Sequence, residues 1–153
     1  MKETLYDIVT GSPEETLAFG RKLAKSLQPP CTALLEGDLG SGKTTLTKGV
    51  AAGLGAAREE DVTSPTFTLV HEYSGSSPEA AGRGFKVYHV DLYRIDGLRE
   101  IESLGLEELF QPWSTVMIEW GEKLPQRPLG SIIRIRMEVL AENQRRIIVE
   151  KES

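Results

Sequence analysis

Gly37-Asp38-Leu39-Gly40-Ser41-Gly42-Lys43-Thr44 fits the pattern G-x-x-x-x-G-K-[ST] at every fixed position. Just upstream, Thr32-Ala33-Leu34-Leu35-Glu36 is an apolar run of strand length. Downstream, Thr44 to Leu54 predicts a helix, with Leu46, Val50 and Leu54 spaced four apart on one face. A strand, a glycine loop and a helix in this order build a cradle for phosphate. Gly37, Gly40 and Gly42 let successive backbone N–H groups turn inward, and the positive end of the helix adds to that field. Asp38, Leu39, Ser41 and Thr45 belong to the same cradle. In such a loop Lys43 reaches the β- and γ-phosphates, and the Thr44 hydroxyl ligates Mg²⁺. The expected fold is α/β of the P-loop NTPase type: a mixed, mainly parallel sheet flanked by helices, with antiparallel hairpins.

At 153 residues the chain is expected to form a single domain with one proper core. Its 18 Lys and Arg against 23 Asp and Glu leave a net charge of −5, which argues against an autonomous nucleic-acid binder. One cysteine, Cys31, excludes an intramolecular disulfide and fits a reducing compartment, and its place at the start of an apolar strand marks a buried structural thiol. The sequence has no signal-peptide pattern and no apolar run near 18 residues, so the cytoplasm is the expected location.

Ahead of the glycine loop, Thr4 to Val9 reads as a strand. Ser12, Pro13 and Glu15 then open a helix as N-cap, first helical residue and capping-box partner. Leu17, Phe19, Leu23, Ala24 and Leu27 stripe that helix until Pro29-Pro30 stops it. The Val9–Ser12 connection is one place where a nucleotide base could lie; an ordinary capped surface helix fits the same residues. Beyond the loop, Val62 to Val70 clusters hydroxyls around Pro65, as a γ-phosphate-sensing switch would or as a Thr-rich edge strand would. Thr66–Tyr73 and Phe85–Arg94 are expected to pair as a hairpin across a Gly/Ser/Ala loop, Ser74 to Gly84. A helix is expected from Leu98 to Phe110, with Gly105 as a point where it can be interrupted, and Ser131–Glu138 with Arg145–Glu150 make a last hairpin tipped by Glu142-Asn143-Gln144.

Thr115-Val116-Met117-Ile118-Glu119 is an apolar strand that ends in a carboxylate, the Walker B pattern, whose acid holds Mg²⁺ directly or through water. Asp91 also lies at a strand end, and strand ends of such sheets face the ligand crevice. Hydrolysis needs one group on the metal and one on the water; Asp91 and Glu119 can share these roles in either order. Trp120 either stacks on nucleotide or switch, or caps the core. His71 and His89 read as satisfied structural histidines on the paired strands. Arg94 and Arg99 are candidates for a charge-stabilising arginine by location alone, and without one the expectation is slow turnover accelerated by a partner. No N-K-x-D run for guanine is present, which favours adenine.

Taken together, Gly37 to Leu46, Ser64-Pro65-Thr66-Phe67-Thr68-Leu69-Val70, His89-Val90-Asp91-Leu92-Tyr93-Arg94, Leu104-Gly105 and Ile118-Glu119-Trp120 resemble the bacterial TsaE proteins of tRNA threonylcarbamoyladenosine biosynthesis. The blocks come in that family's order across roughly residues 5 to 125. The resemblance implies a small Mg²⁺-dependent ATPase acting with TsaD and TsaB, the pair that moves threonylcarbamoyl onto the adenosine beside the anticodon, with tRNA contacted only through the complex. It also implies that Thr44 and Glu119 hold Mg²⁺, that Asp91 sits by the γ-phosphate and that Trp120 lies close to the nucleotide. Thr66 and Thr68 fall in the switch-like segment, and the family's late nucleotide contact maps to Arg145. The Ser74 to Gly84 loop and the tail after Gln126 depart from the family's pattern. A small-molecule kinase and a nucleotide-sensing switch with negligible turnover are the competing readings of the same loop.

Overall fold

Cys31–Glu36 does form a strand, β2, and every residue from Thr32 to Leu35 in it is buried. The structure, a computed structural model, describes residues 2–38, 40–56, 70–76, 84–95, 97–124, 128 and 130–152. In order these give β1 (Lys2–Thr10), α1 (Pro13–Leu23), β2, α2 (Lys43–Gly53), β3 (Val70–Ser76), β4 (Gly84–Asp91), α3 (Leu98–Ser103), β5 (Ser114–Glu119), β6 (Ile132–Val139) and β7 (Arg145–Glu152). Short 3₁₀ turns extend α1 over Ala24–Leu27, follow α3 at Leu106–Leu109 and follow β5 at Gly121–Lys123.

The strands build one seven-stranded sheet in the order β1-β7-β6-β2-β5-β4-β3. β6, β2, β5 and β4 are joined by parallel pairings, while β7 and β3 run antiparallel to their inner neighbours and β1 runs antiparallel to β7. Five strands therefore point one way, and the fold is mixed α/β with a mostly parallel sheet. β5 is buried at all six positions, as a strand covered on both faces must be.

Side-chain alternation splits the core into two layers. Ala33 and Leu35 of β2, Met117 of β5 and Phe85 and Val87 of β4 face α1 and α2, meeting Phe19, Leu23, Leu46, Val50 and Leu54. Leu34, Val116, Ile118 and Val90 face the other way, onto Ile101 and Leu106 around α3. Leu46, Val50 and Leu54 are each at most 1% exposed, so the four-residue spacing after the glycine loop marks the buried face. Thr115 Oγ1 donates to Leu27 O, tying β5 to the 3₁₀ turn after α1.

Several boundaries differ from those expected. The Ser12 hydroxyl accepts from Glu15 N at 3.1 Å, but the Glu15 carboxylate takes the N–H of Gly11 rather than that of Ser12, one residue further out than the expected box. The helix expected from Leu98 to Phe110 is broken: Gly105 takes φ 63°, a left-handed conformation, and the chain resumes only as a 3₁₀ turn. The expected Ser74–Gly84 loop is shorter, because Ser74 to Ser76 and Gly84 are taken into the antiparallel β3–β4 pair. Residues 64–69, including Thr66 and Thr68, lie outside the described residues.

Burial pushes the Cys31 thiol up to about 12 from its ordinary 9.0, against the weaker opposing field of Lys151. The thiolate is the reactive form, so labelling by a disulfide reagent at pH 8 is expected to be about a thousandfold slower in the folded chain than in urea. Cys31, expected to be buried, is half-buried at the head of β2; equal rates in the two states would contradict even that shielding.

Candidate functional site

The glycine loop leaves β2 at its carboxyl end. Gly40 (φ 83°) and Gly42 (φ 98°) both lie in the left-handed region, which turns the chain into α2 within a few residues. Gly42 is the N-cap and gives no side-chain cap, so the amides of the first turn of α2 are left to another acceptor. Lys43 folds back over the loop. Its Nζ donates to Gly37 O at 2.6 Å, lies 3.4 Å from Glu119 Oε1 and sits 5.7 Å from the centre of the Trp120 ring.

Register brings the acids together. Asp91, the last residue of β4, stands opposite Glu119, the last of β5, while His89 stands opposite Met117. Alternation puts His89, Asp91 and Glu119 on the sheet face that carries α2. Glu119 is 4% exposed and His89 fully buried, with Nε2 2.6 Å from Glu119 Oε2. Burial raises the Glu119 carboxyl, but the His89 hydrogen bond and the Lys43 ammonium outweigh it and hold the group below the usual carboxylate range. An ionised carboxylate can only accept, and with Glu119 in that form Nε2 is the donor of this bond. Asp91 moves the other way. Burial, helped by the negative charge of Glu119, lifts it above its ordinary value against the hydrogen bond from Tyr93 N and the fields of His89 and Lys43.

After Glu119 the chain turns sharply. Trp120 has φ 63° and ψ 40°, the one non-glycine residue with positive φ among those described. Such a conformation costs energy and persists where its surroundings over-determine it. Here the Tyr93 ring lies 5.2 Å from Trp120, and Lys123 Nζ donates to Tyr93 O and Ile95 O, fastening the segment after β4 to the turn after β5. On the other side of the loop, Arg145 donates to Gly40 O and Ser41 O and to the carbonyls of Ala141, Glu142 and Gln144, tying the β6–β7 turn to the glycine loop.

These elements enclose a cleft of about 400 Å³ along the carboxyl edge of the parallel strands. Its walls include Gly40, Gly42, Lys43, Thr44, Thr45, Asp91, Glu119, Trp120 and Arg145. Gly37, Asp38 and Ser41 belong to the loop but do not line the cleft, and Leu39 is outside the described residues. Arg94 and Arg99 are exposed and do not line the cleft; among the described residues the arginine at its wall is Arg145, already engaged by five carbonyls.

The family model for the threonylcarbamoyl adenosine biosynthesis protein TsaE matches residues 10–148. This chain belongs to the TsaE family. A Bacillus subtilis (strain 168) protein named tRNA threonylcarbamoyladenosine biosynthesis protein TsaE is 43% identical over 130 residues, 82% of this chain and 75% of that one. The Treponema pallidum protein of the same name is 33% identical over 141 residues, 92% and 97% of the two chains. A crystal structure of Bacillus subtilis YdiB superposes with a TM-score of 0.68 at 33% identity, covering 98% of this chain and 86% of its own.

For this TsaE-family chain, the cleft is wider than the sequence alone indicates. Ser12 lines it, in the Val9–Ser12 connection that offers a place for a base, and so do Pro13 and Thr16 at the start of α1, Tyr93 after β4, and Glu142 and Asn143 in the β6–β7 turn. The hairpin tip carries no local signal for this and needs the strand order. His89, expected as structural only, holds Glu119. Its place two residues before Asp91 on one strand was the available signal, since alternation sends both to one face.

Proposed function

We propose that this chain binds ATP with Mg²⁺ in the cleft and hydrolyses it, as an accessory ATPase acting with TsaD and TsaB. Membership of the family gives the chain its role in tRNA threonylcarbamoyladenosine biosynthesis. The ATPase activity, the phosphate-loop NTPase fold, the cofactors and the two partners are our inference. The observation that carries it is the meeting of Lys43 and Thr44, from the glycine loop, with Asp91 and Glu119, from adjacent strand ends, around one cleft.

The donor set fits a hard cation: the Glu119 carboxylate and the Thr44 hydroxyl, with phosphate oxygens and water to complete the sphere. When bound with ATP, Mg²⁺ would neutralise charge developing on the transferred phosphoryl group. Glu119, held ionised, would hold it together with Thr44. Asp91, with its carboxyl raised by burial, is the better proton acceptor and orients the attacking water. Lys43 exchanges its contacts with Gly37 O and Glu119 for the β- and γ-phosphates. Trp120 closes the cleft beside that lysine, and the end lined by Ser12, Pro13, Thr16 and Asn143 takes the base and ribose. No helix among the described residues is long and apolar enough to cross a membrane, and the lone cysteine suits a reducing cytoplasm.

Among the described residues the arginine at the cleft wall, Arg145, is engaged by loop carbonyls, which supports the reading that a partner supplies the arginine that stabilises the transition state. ATP turnover measured alone and with TsaD plus TsaB is expected to rise at least about tenfold with the pair, well within what a supplied arginine contributes. An unchanged rate, with no co-elution of the three chains, would contradict the partner assignment.

A further inference from the structure

His89 is fully buried on β4, flanked in register by His71 of β3 and Met117 of β5. Its Nε2 lies 2.6 Å from Glu119 Oε2, and its Nδ1 is buried without a hydrogen-bond partner among the described residues. A buried polar ring with one nitrogen unsatisfied is costly to keep in a core, and an apolar ring would fill the same space without that cost. What the imidazole adds is the bond made by its other nitrogen. Glu119 has two oxygens and little room: Oε2 is taken by His89, while Oε1 lies 3.4 Å from Lys43 Nζ, on the cleft side. A carboxylate held by one oxygen to a fully buried ring is restrained in its rotation about the terminal bond.

We propose that His89 is a positioning residue for Glu119, fixing its carboxylate through Oε2 so that Oε1 is the oxygen presented to the divalent cation. The proposal rests on the Mg²⁺–ATP reading above. Partners of metal-holding groups change metal affinity by roughly ten- to a hundredfold when removed, which sets the scale of the expected effect.

The test is ATP binding by calorimetry at graded Mg²⁺ for the wild type, His89→Phe and His89→Gln. The reading is the Mg²⁺ concentration that half-saturates the gain in ATP affinity, so effects on the nucleotide alone cancel. His89→Phe is expected to raise this concentration at least about tenfold, and His89→Gln, whose amide N–H reaches the position of Nε2, to return it to within about threefold of wild type. A His89→Phe curve that overlies wild type, or a His89→Gln curve no better than Phe, overturns the proposal. A second measurement needs neither metal nor nucleotide nor a His89 variant. Histidine-labelled wild type should show a slowly exchanging proton on Nε2 whose resonance moves in Glu119→Gln; an Nε2 without a proton overturns the proposal. A wild type whose ATP affinity ignores Mg²⁺ overturns the Mg²⁺–ATP reading, and the proposal with it, and is told apart by the flat wild-type curve beside an intact Nε2 proton.

Discussion

Glu119→Gln is expected to lower ATP turnover by on the order of a hundredfold or more while ATP affinity stays within about tenfold, because it removes charge where charge must be stabilised and leaves the phosphate cradle in place. Glutamine keeps the shape of the side chain and can still accept from His89 Nε2, so the buried pair is not left as a cavity or an orphaned donor. What it loses is the ionised oxygen beside Lys43. Lys43 divides its charge between Glu119 and Gly37 O; in the variant the first of these contacts weakens, which frees the ammonium for phosphate and opposes any loss of ATP affinity. A single-turnover assay and a binding titration on the same preparation separate the two effects. Turnover within about threefold of wild type would refute the assignment of Glu119 to the reaction.

Gly49→Ala is expected to destabilise the chain by about 3 kcal/mol or more, lowering the melting temperature by roughly 6–12 °C. Helix propensity alone predicts the opposite sign, since alanine in a helix interior is favoured over glycine by about 1 kcal/mol. Packing decides. A Cβ on Gly49 would come 2.2 Å from Leu17 O, 3.0 Å from Gly20 Cα and 3.1 Å from Arg21 N, and a Cβ on Gly20 would come 2.5 Å from Leu46 O. These are backbone atoms, which cannot swing aside as a side-chain tip can. α1 and α2 meet at this point, and only a displacement of one helix relieves the overlap. Because α2 begins at Lys43, the same displacement moves the cradle, so ATP affinity should fall with stability. Thermal melting followed by circular dichroism checks the first part; an unchanged or raised midpoint would show that the two helices do not approach as closely as described.

Local signals were legible in the sequence. The glycine loop, the Ser12 cap, the β3–β4 hairpin and the carboxylate ending β5 each depend on residues close together in the chain; among the described residues the hairpin pairs as expected but extends to Ser76 and Gly84, into the expected loop. Gly105 was readable as a break, but not that its left-handed turn would leave only Leu98–Ser103 as α-helix. The strand order was not legible, since β7 inserts between β1 and β6 through pairings that span the whole chain. That insertion carries Asn143 and Arg145 to the glycine loop, so residues more than a hundred positions apart share one cleft. Arg145 was reached only through the family resemblance, and its guanidinium turns out to brace the loop. His89 was within reach of simple alternation, yet its role depends on the β4–β5 register, which periodicity does not encode.

The central claim is that the cleft around Lys43 binds ATP. Calorimetric titration of ATP with Mg²⁺ into the wild type and Lys43→Ala tests it most directly. The expected result is saturable binding to the wild type, weakened about a hundredfold or more in Lys43→Ala, as for loss of a buried charge-assisted contact to phosphate. No binding to the wild type, or equal affinity in the two proteins, would contradict it.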